Sequence, residues 1–308
     1  MSHLDLRDPK LSRIVSDEPV AKRASGFRFT EGPVWRAQDG VLIFSDIPGD
    51  CLYSFDPRSD AVEVFRAPSN KTNGNCLDRE GRLVSCEHGT SRVVRQEQDG
   101  RMTTLASHYG GLEFNSPNDI VVDSSGRLYF TDPPYGRYAG QGALLGVGIP
   151  RAEQQPVRGV YRLDPRDGAI IRLVEDFEEP NGLCFAEDET VLFVNDTAKM
   201  VNDTAKMHIR RCEVRQEGVS GGEIWAVLEG DEPGVPDGMK VDAEGNLFCT
   251  GSGGLHVFAP NGQILGVIRV PEVAGNFNWG DADRKTLYIS ATSSVYSCKT
   301  LVPGPAGA

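Results

Sequence analysis

Long apolar runs are missing from this sequence. No stretch approaches the roughly 20 apolar residues of a membrane-spanning helix, and the N-terminal MSHLDLRDPKLSRIVSDEPV has no apolar core of the kind a signal peptide carries. Neither membrane insertion nor export is expected. An excess of basic residues is missing too: 32 Lys and Arg stand against 44 Asp and Glu, a net charge of −12. That balance excludes a nucleic-acid partner and an anionic membrane surface. Seven cysteines are scattered through the chain with no CxxC pair, which excludes a zinc ribbon and a disulfide framework. They read as small buried hydrophobes in a reduced, cytoplasmic protein. No GxSxG is present to supply a serine nucleophile, and GSGG (251–254) is followed by no helix pattern that would make it a phosphate cradle.

Helical periodicity is nearly absent as well, which disfavours a parallel α/β sheet. The chain instead has 35 glycines and 19 prolines, a composition of many turns. One signal recurs between them, a turn followed by a short alternating strand: DGVLIFSD (39–46), EGRLVSCE (80–87), SGRLYFTD (125–132), DETVLFVND (188–196), EGNLFCTG (244–251) and RKTLYISA (284–291). Second strands follow several copies, as in LYSFDP (52–57), VYRLDP (160–165), LHVFAP (255–260) and VYSC (295–298). Six units of four short strands, about 40 to 60 residues apart, predict an all-β, six-bladed β-propeller. The last unit is one strand short, and PVAKRASGF (19–27) can supply it, closing the ring with an N-terminal strand. Residues 1–308 then form a single domain, with 1–18 as an N-terminal extension.

Upstream of each turn lies a strand that begins with a polar residue. Aligning the units places Glu31, Asn73, Asn118, Asn181, Asp237 and Asn276 in one register. The innermost strands of a propeller line its channel, so these six side chains should converge on the axis. Two carboxylates and four amides offer only oxygen ligands to a cation and balance a charge of +2. With no His or Cys in the register, a structural zinc site is disfavoured.

The segments EGPVW (31–35), SPNDIVVD (116–123), FTDPPYG (130–136), PNGLCFA (180–186) and DEPGVPDGMKVD (231–242) resemble the gluconolactonase/regucalcin family of propellers. CEHGTSRVVR (86–95) is similar to its bacterial gluconolactonase branch. The resemblance implies metal-dependent hydrolysis of a sugar lactone, with one divalent cation bound by Glu31, Asn181, Asp237 and Asn118. Calcium stands first, with Mg²⁺, Mn²⁺ or Zn²⁺ as alternatives. It also makes Asp237 the catalytic candidate. Asn73, Asn118, Asn276 and His88 are the candidate substrate contacts. His88 ends an inner strand pair and also fits a partly exposed structural histidine. The family's arginine just before Asn118 is absent here, where Asn115-Ser116-Pro117 stands, so the sugar specificity is open. Phosphotriester cleavage on the same ring, or a non-catalytic binding propeller, are the competing readings.

Two segments depart from a regular repeat. Residues 133–159 are too long for a hairpin loop and predict a lid on the metal-bearing rim. The heptad VNDTAKM occurs twice in tandem, at 194–200 and 201–207. Seven extra residues inside a strand would turn its core side chains outward, so the duplication is expected to lengthen a connection instead.

Overall fold

The alternating strands and turn glycines fold as their pattern predicts. A computed structural model of the chain describes residues 2–138, 146–198 and 207–305. Among these residues there is no α-helix. Two short 3-10 turns, Pro9–Arg13 and Tyr135–Arg137, interrupt an otherwise β architecture. No helix is long and apolar enough to cross a membrane.

Six antiparallel sheets form the blades. Their innermost strands are Thr30–Arg36, Thr72–Leu77, Ile120–Val122, Pro180–Phe185, Met239–Val241 and Ala274–Gly280. The recurring sequence signal supplies the second strand of each blade, from Val41–Asp46 in blade 1 to Thr286–Ala291 in blade 6. Blade 6 takes its outer strand, Ala21–Ser25, from the N-terminus, where it pairs antiparallel with Ser294–Lys299. The closure is pinned by Glu272, whose carboxylate accepts from Lys22 Nζ at 3.0 Å, Ser294 Oγ at 2.6 Å and Tyr296 Oη at 2.8 Å.

The first residues are part of this architecture. Leu4–Leu6 adds a fifth strand to blade 5 by pairing with Ile264–Arg269. Leu11, Ile14 and Val15 then bury between blades 5 and 6. The core is divided among the blade interfaces, because each sheet has two apolar faces to cover. Trp35 of blade 1 stacks on Tyr288 of blade 6 at 5.7 Å, and Phe248 of blade 5 meets Trp279 of blade 6 edge-on at 5.1 Å. Burying each such side chain contributes about 1.5–3 kcal/mol. All seven cysteines are free and buried.

Candidate active site

The innermost strands can converge only if their backbones approach closely, and the sequence provides for this. Glycine follows the ring residue in four blades, as Gly32, Gly74, Gly182 and Gly238. A Cβ on Gly182 would stand 1.9 Å from the Asp237 carbonyl oxygen of the next blade, and one on Gly32 would stand 2.0 Å from that of Asn73. Polar side chains of the second strands then tie three of the ring residues to the preceding blade. Ser45 Oγ donates to the Asn73 carbonyl at 2.7 Å, Thr131 Oγ1 to that of Asn181 at 2.8 Å, and Asn195 Nδ2 to that of Asp237 at 2.6 Å. The Asp237 N–H in turn donates to Thr250 Oγ1 at 3.0 Å. The backbone of Asp237 is thus held from both sides.

The same pairing corrects one member of the ring. Gly238 N–H donates to Gly275 O, as Gly74 N–H donates to Asn118 O. Gly275 therefore holds the sixth ring position, and Asn276 lies one residue deeper, level with the glycines. In blade 3 that deeper position belongs to Asp119. The alignment slips because blade 6 has a longer turn: Trp279 pairs with Leu287, whereas Phe185 pairs with Leu192.

The remaining ring residues meet. Asn73 Nδ2 donates to Asn118 Oδ1 at 2.6 Å, and Asn118 Nδ2 donates to Asn181 Oδ1 at 2.5 Å. The Asp237 carboxyl lies against the Asn181 amide and the Glu31 carboxyl. Burial, then the charge of Glu31, pushes the Asp237 pKa well above the carboxylate range. Burial raises Glu31 likewise. Glu31 is 1% exposed, and its Oε2 accepts from Gly32 N–H at 2.8 Å while Oε1 has no hydrogen-bond partner. Two carboxyls in contact, Glu31 buried with an oxygen lacking a donor and Asp237 partly accessible, are unfavourable without a cation. Among the described residues no three His, Cys, Asp or Glu side chains gather as a metal cluster; a cation here would have to be met by carboxylates and amides together. Such a set fits a hard divalent ion.

His88 is buried at 1% exposure, and is not the partly exposed residue its strand-end position suggested. Its Nδ1 donates to the Val147 carbonyl at 3.0 Å, which leaves Nε2 as the acceptor facing Asn73 Nδ2 at 3.4 Å. The same nitrogen lies 3.1 Å from Asn118 Oδ1. Burial lowers its pKa to about 4, so His88 is a neutral partner of the amides rather than a base near pH 7.

The 133–159 segment joins the second and third strands of blade 3 and reaches the ring through Val147. Part of the expected lid, 139–145, lies outside the described residues. Its anchor is Arg137, buried against the carbonyls of Asn115, Phe114 and Ala152 and paired with Glu113. Asp46, Asp132 and Asp196 cap the strand ends: Asp46 accepts from Arg28, Phe29 and Gly49 N–H groups, and Asp196 from Glu178, Glu179 and Ala198. Asp132 accepts from Asn115 N–H.

In the duplicated heptad, the Asn195, Asp196 and Thr197 of the first copy make these internal contacts, and Met207 at the end of the second pairs its carbonyl with Leu228 N–H. Residues 199–206 between them lie outside the described set. Three residues near the ring are additions to those expected from sequence: Asp119, Asn195, and Tyr135, whose hydroxyl lies 2.5 Å from Thr197 Oγ1.

Comparison with known proteins agrees with this geometry. The profile of the SMP-30/Gluconolactonase/LRE-like region matches residues 29–293. A gluconolactonase of Zymomonas mobilis is 30% identical, over 95% of this chain and 84% of its own. A 6-deoxy-6-sulfogluconolactonase of Pseudomonas putida is 25% identical, over 89% and 87%. Among solved structures, a gluconolactonase of Xanthomonas campestris aligns with a TM-score of 0.86 at 29% identity, over 96% of this chain and 94% of that one.

Proposed function

The chain belongs to the SMP-30/gluconolactonase/LRE-like family, and from that premise we propose that it hydrolyses a sugar lactone at the Glu31–Asp237 end of the channel. It is a hydrolase of lactone esters, as its relatives' names describe. The observation that carries the site assignment is the contact between the Glu31 and Asp237 carboxyls, with a buried, donorless Glu31 oxygen, at the end of an amide chain.

Glu31, Asn118, Asn181 and Asp237 would hold one divalent cation, calcium being the first candidate. Bound there, the cation would polarise the lactone carbonyl as a Lewis acid. The protein's own groups carry the rest. Asp237 is the ring carboxylate that remains partly accessible, so it is the group placed to hold a water and accept its proton. Attack of that water on the carbonyl carbon breaks the ring C–O bond. The proton then passes to the departing oxygen, which gives the hydroxy acid. Asn73 orients a substrate hydroxyl, with neutral His88 behind it fixing the amide. Asn276, buried and one level deeper, supports Glu31 rather than touching substrate. The described parts of the 133–159 segment, 133–138 and 146–159, which reach the ring through Val147, would shape the substrate's surroundings.

A pH-indicator assay on glucono-δ-lactone, other aldonolactones and paraoxon tests the reading. Turnover of aldonolactones is expected. Turnover of paraoxon alone would replace it with phosphotriester cleavage, and turnover of none would leave a binding propeller.

A further inference from the structure

Directly beneath the ring, the first strand of blade 5 carries a basic residue that the lactone chemistry does not use. Lys240 Nζ lies 3.2 Å from Asn276 Oδ1 and 5.5 Å from the centre of the Phe277 ring. Asn276 Oδ1 also accepts from Phe277 N–H at 2.9 Å, and its amide lies beside the carboxyls of Glu31 and Asp119. Asp119 is 5% exposed. Its Oδ1 accepts from Ile120 N–H at 2.9 Å, while Oδ2 is buried without a partner. The charge of Lys240 favours the ionised forms of both Glu31 and Asp119.

With a cation bound to hold them ionised, Glu31, Asp119 and Asp237 would bring three negative charges to this short length of channel, and Lys240 one positive charge. Two negative charges are left over, the number a divalent ion neutralises. An isolated charge at this depth is costly unless paired, and a fixed charge in a poorly solvated channel acts strongly on any ion bound nearby.

We propose that Lys240 is a built-in counter-cation which, through Asn276 and opposite Asp119, sets the ring to bind divalent rather than trivalent ions. It is a positioning residue and touches neither substrate nor the reacting atoms. The inference rests on the cation site proposed above.

The test compares calcium and terbium, hard ions that both take oxygen ligands, by titration calorimetry and terbium luminescence. For each variant the ratio of terbium to calcium affinity is taken, which cancels any change in protonation of the ion-free protein. In Lys240→Met the ratio should rise about tenfold or more over wild type, and in Asp119→Asn it should fall by a similar factor. The double variant should return to within about threefold of wild type, and Lys240→Arg should leave the ratio unchanged. Ratios within about twofold of wild type in both single variants would overturn the role of Lys240. Should Lys240→Met fail to fold, Asp119→Asn decides alone, a ratio that does not fall being the overturning result. Wild-type protein that binds neither ion would instead bring down the cation site itself, and this inference with it.

Discussion

Replacing Asn195 with alanine should damage both stability and catalysis, although the residue touches neither substrate nor cation. Its side chain is fully buried. It donates at 2.6 Å to the Asp237 carbonyl and accepts at 3.1 Å from Gly182 N–H. Alanine leaves a buried carbonyl and a buried N–H without partners, at about 1–3 kcal/mol each. The sum, about 2–6 kcal/mol, corresponds at roughly 2 °C per kcal/mol to a fall of roughly 4–12 °C in melting temperature. Because the Asp237 carbonyl loses its tether, kcat/KM should also fall by about 10- to 100-fold. Calorimetry and lactone kinetics at one fixed metal concentration measure both. A melting temperature within about 1 °C of wild type and unchanged kcat/KM would refute the idea that the second strands hold the ring in place. The companion experiment deletes one VNDTAKM copy, which yields the same chain whichever copy is removed and leaves an asparagine at 195. That chain should keep or exceed the parent's melting temperature and activity.

The remaining predictions concern the ring, its cover and its closure. Glu31→Ala and Asp237→Ala should each abolish nearly all lactone turnover, whereas Asn73→Ala should act mainly on KM; wild-type kcat in Asp237→Ala with metal bound would remove its catalytic assignment. Arg137→Met strips a buried cation from three carbonyls and from Glu113, which should cost about 3–5 kcal/mol and raise KM more than it lowers kcat. Burial alone would raise the Glu272 pKa, but donors from Ser294, Ser293 and Lys22 outweigh it and bring it to about 2 from 4.5. Its contribution is therefore complete above pH 4.5 and lost as pH falls through about 2. Glu272→Gln should melt lower than wild type at neutral pH, with the gap closing across that window; a gap independent of pH would contradict the closure role.

Most of the fold is legible in the residues because a propeller repeats one local solution six times. The strands VLIF, RLVS and RLYF each carry the same pattern of burial, so their count gives the number of blades. The ring is legible for the same reason, except where a local insertion breaks the period. The longer turn of blade 6 shifted Asn276 by one place. A finer signal was available: Glu-Gly, Asn-Gly, Asn-Gly and Asp-Gly in four blades contrast with Asn118-Asp119 and Gly275-Asn276 in the other two. Reading which member is the glycine identifies both the true register and the extra carboxylate. The belt behind the ring was equally visible, as Ser45, Thr131, Asn195 and Thr250 at one place in the repeat. What pattern cannot supply is contact between distant segments. His88 is buried because Val147, 59 residues away, accepts its proton donor. Lys240 reaches Asn276 only because blades 5 and 6 are neighbours around the axis.

Lactone hydrolysis by metal-stripped protein tests the central claim most directly. Protein is extensively chelated, shown by elemental analysis to be free of metal, and assayed on glucono-δ-lactone before and after titration with calcium, magnesium, manganese or zinc. Turnover should be lost on stripping and restored by about one equivalent of a divalent ion per chain, with Glu31→Ala failing to recover at the same concentration. Full activity in metal-free protein would contradict the account.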